Sequence, residues 1–132
     1  MADLGEFKEE PDEYDVASNY GLDKRLFIAI LKVESGLDHK AINPSTMDFG
    51  IGQINYKTAE AYQMDTVRLI KDRAYSIEKA ALVLSDFKRK FHDSEPDTWA
   101  CRYNVGWGRL EGRRAYQCEI YLRKIRVAMG DF

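Results

Sequence analysis

Cysteine and histidine are scarce in this chain, with two of each among 132 residues. Cys101, Cys118, His39 and His92 stand at scattered spacings that match no zinc signature. Neither histidine lies in a motif that would pair it with a nucleophilic thiol. The cysteines leave two readings open, a pair of small buried thiols or a Cys101–Cys118 disulfide formed in an oxidising compartment. No uninterrupted apolar run approaches the roughly 18 residues that span a bilayer. The opening MADLGEFKEEPDEYD is acidic and has neither a basic n-region nor an apolar h-region, so no secretory leader is expected in it. Internal repeats, low-complexity tracts and linkers are missing as well. GIGQIN, residues 50–55, contains a G-x-G but lacks the third glycine and the strand-to-helix setting of a dinucleotide fingerprint.

What remains is the composition of an ordinary globular domain, 45% hydrophobic and 32% charged, long enough to bury a core without metal. Charge is unevenly placed. Residues 1–65 hold 6 Lys+Arg against 13 Asp+Glu, net −7, and residues 66–132 hold 14 against 9, net +5, which sum to the overall −2. Asp72, Glu78 and Asp86 interrupt the basic half, so a mixed, solvated surface is expected and nucleic acid is not a partner.

Residues 1–11 read as a flexible acidic segment ending at Pro11, and residues 12–132 as one domain. Tyr14, Ala17 and Tyr20 pattern a short amphipathic helix stopped by Gly21. Asp23 stands as a cap for the next helix, which ends at Gly36. Residues 37–56 lose helical period, and the alternation of Phe49, Ile51 and Gln53 suggests a short strand or hairpin among turn signals. Helix is expected over Lys57–Gln63, from about Asp72 to Phe91 on the stripe Ile77, Ala80, Ala81, Leu84, Phe87 and Phe91, from Asp97 to Tyr103, and from Arg113 to Met129. Asp93–Pro96 breaks the long one. The fold class is therefore mostly α (α+β), with a small β element after the second helix.

One residue breaks the hydrophobic pattern. In RLFIAILKVES, residues 25–35, Phe27, Ile30, Leu31 and Glu34 fall at i, i+3, i+4 and i+7, one helical stripe. A carboxylate on that stripe loses solvation and meets the negative end of the helix dipole, and both effects favour the protonated form. That describes a general acid, which a glycosidase needs because a glycosidic oxygen leaves poorly until protonated. The plainer alternative is a solvated Glu at a helix end.

Three segments together resemble the lytic transglycosylases, lysozyme-like enzymes that cleave peptidoglycan. ESGLDHKAIN from Glu34 is similar to the family's acid followed by Ser at a helix end. DFGIGQIN from Asp48 is similar to its Gly-Leu-Met-Gln-Ile motif, and RYNVGWG from Arg102 to its Tyr-Asn-Ala-Gly motif. The resemblance implies a lysozyme-like fold, Glu34 as catalytic acid then base, and Ser35 positioning the substrate or the acid. It further implies Gln53 and Asn55 lining the groove, Tyr103 and Asn104 hydrogen-bonding near carboxyl and sugar, and Tyr121 reaching the carboxyl from the last helix. It implies no cofactor or metal, a peptidoglycan glycan strand as partner at the cell wall or periplasm, a monomer, and a setting among the specialised enzymes of secretion systems, conjugation or phages. The family commonly has Met where this chain has Gly52, which implies a missing apolar wall of the sugar site. Two rivals stay open: a hydrolytic muramidase with Asp48 or Asp38 as second acid, and a non-catalytic glycan-binding or assembly protein. Trp99 reads as a core ring, whereas Trp107, between two glycines, reads equally as core or as a sugar platform.

Overall fold

A computed structural model describes residues 11–91 and 98–130. The acidic lead-in, apart from Pro11, and the expected break at Asp93–Pro96 lie outside the described residues, as do His92 and Asp97.

The first helical stretch is a 3-10 turn, Asp12–Tyr14, followed by α1, Val16–Asn19, which bury Tyr14 and Ala17. Helix α2, Lys24–Ser35, is the centre of the molecule. Leu26 to Leu31 are six consecutive buried residues, so the helix is enclosed on all sides over that span rather than along one stripe. Asp23 occupies its N-cap with extended backbone, but its side chain makes no cap bond. The helix stops at Gly36, in the left-handed region at φ 66°. Amides of Gly36 and Leu37 fold back onto the carbonyls of Lys32 and Leu31.

Three two-residue strands follow as an antiparallel meander: β1 Ile42–Asn43, β2 Asp48–Phe49 and β3 Ile54–Asn55. Phe49 pairs with Ile42 on one side and Ile54 on the other, and Asp48 with Asn43 and Asn55. Of the two forms expected for the stretch through Phe49, Ile51 and Gln53, the chain takes the hairpin: Phe49 ends β2, β3 returns antiparallel to it, and Ile51 and Gln53 lie in the turn between them. Between β2 and β3 the chain turns, burying Ile51 completely and placing Gln53 at φ 50°.

Helix α3, Tyr56–Ala61, starts at an N-cap in which Asn55 accepts from the Lys57 amide. No sequence pattern predicts helix α4, Thr66–Lys71. Its single turn and a half is too short to show a period, but Asp65 caps it by accepting from Val67 and Arg68 amides. Asp72 caps α5, Arg73–Lys90, in the same way through Tyr75, and α5 buries Ile77, Ala80, Ala81, Leu84 and Phe87. In place of one helix to Tyr103, the chain forms a 3-10 turn, Thr98–Cys101, and a short α6, Arg102–Val105. Helix α7, Arg113–Ala128, packs on α2 through a face that includes Cys118, Tyr121 and Ile125. Cys101 and Cys118 are disulfide-bonded, tying the 3-10 turn to α7. Trp99 is a core ring, 7% exposed. Among the described residues no helix is long and apolar enough to cross a membrane. The fold is mostly α with a small antiparallel sheet, the lysozyme-like class.

Candidate active site

Glu34 emerges from the enclosed part of α2 onto the wall of a cavity of about 410 Å³. The meander lies on one side and α5 with α6 on the other. Of the sequence-derived site residues, Gln53, Asn55, Tyr103 and Asn104 line this cavity with Glu34. Ser35 and Tyr121 do not.

Tyr121 instead reaches Glu34 from α7. Its hydroxyl donates to Glu34 Oε2 at 2.5 Å, across 87 residues of sequence. Burial raises the Glu34 pKa to about 7; the Tyr121 hydrogen bond opposes this, the nearby Asp48 charge adds to it, and Lys124 draws it down. Desolvation dominates because the carboxylate has lost much of its water, and the charge of Lys124 is the smallest of the four causes. The two tyrosines around it stay protonated. Burial, then the charge on Glu34, lifts Tyr121 far above the ordinary phenol value, and the same two causes with Asp48 lift Tyr103.

Ser35 is spent on the scaffold. Its hydroxyl donates to the Ile51 carbonyl at 2.7 Å and accepts from the Asp38 amide at 3.1 Å, fastening the end of α2 to the turn after β2. The resemblance implies two tasks for it, and these bonds place the end of the helix that carries the acid. Gln53 closes the same turn, its amide donating to the carbonyls of Gly50 at 2.9 Å and Ala41 at 3.1 Å. Asn55 donates to Asp48 Oδ1 at 3.0 Å and to the Thr46 carbonyl at 2.9 Å. Asp48 therefore stands fixed in the cavity wall, with Thr46 Oγ1 donating to its other oxygen at 2.6 Å. Asp38 does not line the cavity and accepts from the Lys40 amide in its own turn.

The Gly52 position differs from its expected part. A Cβ there would lie 2.5 Å from the Tyr103 hydroxyl and 2.7 Å from Ala80 Cβ. Residue 52 thus faces packed side chains, not an opened sugar wall, and Tyr103 fills the place by donating to the Gly52 carbonyl at 2.6 Å. That bond commits the proton of the Tyr103 hydroxyl to the Gly52 carbonyl, while the Glu34 charge still acts on the phenol.

Several residues of the site were not singled out by sequence. Thr46 and Thr58 line the cavity from turn and helix, and Val83 and Phe87 form its apolar floor. Phe87 reads only as core stripe, so nothing marked it. Ser76 did carry a signal, a hydroxyl beside Ile77 and four before Ala80 on a buried face. It is 1% exposed and accepts from the Ile51 amide at 2.9 Å, pinning the Gln53 turn to α5. Among the described residues no cluster of three His, Cys, Asp or Glu side chains could hold a metal ion.

The arrangement offers one carboxyl poised to give or take a proton, a fixed second carboxylate, amides facing a cleft, and an aromatic wall. Compared with protein-family models, residues 14–120 match the one described as Transglycosylase SLT domain. No curated protein and no solved structure matches the chain.

Proposed function

The chain belongs to the transglycosylase SLT domain family, and from that we propose that residues 12–132 form a peptidoglycan lytic transglycosylase domain with Glu34 as its single acid and base. The observation that carries the reading is the half-buried Glu34 carboxyl, with its pKa near 7, on the wall of the cavity. A group that must first donate and later accept a proton works best with a pKa close to the working pH.

In the first step protonated Glu34 gives its proton to the oxygen of the β-1,4 bond between N-acetylmuramic acid and N-acetylglucosamine. The N-acetyl carbonyl oxygen of the muramic sugar attacks its own anomeric carbon as that bond breaks. Glu34, now a carboxylate, takes the proton from the 6-hydroxyl, whose oxygen attacks the anomeric carbon and releases the N-acetyl oxygen. A 1,6-anhydro ring closes, no water is consumed, and Glu34 is again protonated. Tyr121 orients the carboxyl, while Gln53, Asn55 and Asn104 border the sugar and Ser35 holds the helix end. Digestion of purified peptidoglycan, with product masses compared for wild type and Glu34→Gln, tests the proposal. Anhydro ends, lighter by one water than reducing ends, should form with wild type alone.

The placement of Asp48 favours the muramidase rival over the non-catalytic one. A retaining glycosidase uses a second carboxylate across the bond being cut, and Asp48 lines the cavity within electrostatic reach of Glu34, whereas Asp38 does not line it. Products with reducing ends only, abolished by Asp48→Asn, would establish a hydrolytic muramidase instead.

A further inference from the structure

The cavity continues along an aromatic wall that the acid–base chemistry leaves unused. Phe87 lies in the last turn of α5 and Phe91 at its C-cap, and the Trp107 ring rests against both, with centroids 5.0 and 5.5 Å away. Phe87 is buried, yet Trp107 keeps 55% of its surface exposed while lining the cavity. Leaving so large an apolar ring in water forgoes its burial energy, which Trp99 gains at 7% exposure.

The ring is held rather than loose. Gly106 lies at φ 83°, outside the range of most side-chain-bearing residues, and its amide donates to the Arg102 carbonyl at 2.7 Å. The Arg102 guanidinium donates in turn to the carbonyls of Gly106 and Gly108, bracketing Trp107, and stacks over Phe91 at 4.1 Å. Lys90 Nζ stands 6.0 Å from the indole centroid. An aromatic face fixed in this way is ready to bind without further ordering cost.

A pyranose in a β-1,4 chain has matching chemistry. Its axial C–H bonds make an apolar face for an electron-rich ring, and its equatorial groups seek hydrogen bonds at the rim. Asn104 borders the same cavity with its side-chain amide, whereas the amide protons of Gln53 and Asn55 are already given to the scaffold. We infer that Trp107 is a stacking platform for an N-acetylhexosamine ring of the bound strand, at a subsite removed from the bond facing Glu34. The inference rests on the cavity taking a glycan, as proposed above.

The chain contains only two tryptophans, and Trp99 is buried away from the cavity lining, so a change in tryptophan emission on adding a ligand reports on Trp107. Titrating the Glu34→Gln protein with a soluble oligomer of β-1,4-linked N-acetylglucosamine should shift its emission to the blue. The shift should vanish in Trp107→Phe, while calorimetry shows binding largely kept by that aromatic replacement. Trp107→Ala should bind about tenfold more weakly, the scale of one aromatic contact. Binding without an emission shift, equal affinity in Trp107→Ala and wild type, or no binding of the oligomer would each overturn the platform. The titration on the protein with Trp107 intact needs no replacement at that position to fold. Failure of the parent reading looks different: Glu34→Gln would digest peptidoglycan as well as wild type does, whatever Trp107 does.

Discussion

At the scale of single residues, Glu34 carries a cost that the proposed acid–base role would explain. Its pKa is about 7 in the folded chain against an ordinary 4.5, so the folded state holds the proton more tightly than the unfolded state. Stability from this group is complete below pH 4.5, declines as the unfolded carboxyl ionises, and is lost as pH rises through 7. Glu34→Gln removes that penalty. The variant should melt higher than wild type at pH 8, by up to roughly 3 kcal/mol of stability, and match it at pH 4. Its peptidoglycan turnover should fall roughly 10²- to 10⁴-fold, measured by turbidity loss. Tyr121→Phe acts in the opposite sense on the acid. Deleting the donor that favours the carboxylate raises the Glu34 pKa further, so the alkaline limb of the pH–rate profile should move to higher pH. An unmoved limb would show that the 2.5 Å bond has no hold on the acid.

At the scale of elements, the site depends on a turn rather than on regular structure. The Gly50–Gln53 turn has few ladder bonds of its own and is fastened by Ser35 from α2 and Ser76 from α5. Ser76→Ala leaves the Ile51 amide buried without an acceptor, which costs about 1–3 kcal/mol. A lower melting temperature, with a rise in KM from a loosened Gln53, is the expected result. The same turn marks the limit of what periodicity can read. Glu34 was legible because a helix repeats and an acid among Phe27, Ile30 and Leu31 interrupts the repeat. Phe49, Ile51 and Gln53 also repeat, at period two, but the alternation is produced by a turn that buries Ile51 and needs a positive φ at Gln53. Helix α4 is too short to repeat at all. Gly52 was read through the family motif as an opening, whereas its role is decided by Tyr103, 51 residues away. No local pattern contains such a contact.

Across the whole molecule, the candidate site draws on both halves of the chain: Glu34, Gln53 and Asn55 from the acidic half, Tyr103, Asn104 and Tyr121 from the basic one. Sequence motifs brought these residues to notice, but only packing of α7 on α2 explains how Tyr121 meets the acid. The Cys101–Cys118 bond encloses the stretch that bears Tyr103, Asn104 and Trp107, with a sequence separation of 17. Closing a loop of that size stabilises by about 3 kcal/mol. Replacing both cysteines by alanine should lower the melting temperature on the order of 10 °C. Cys118 also lies one helical turn before Tyr121, so the bridge anchors the part of α7 that presents the phenol to Glu34. Under mild reductant, turnover is therefore expected to drop at temperatures where circular dichroism still reports intact helices. Without the bridge the chain keeps its helices and its carboxyl but presents the phenol from a looser α7, so aim is lost before fold.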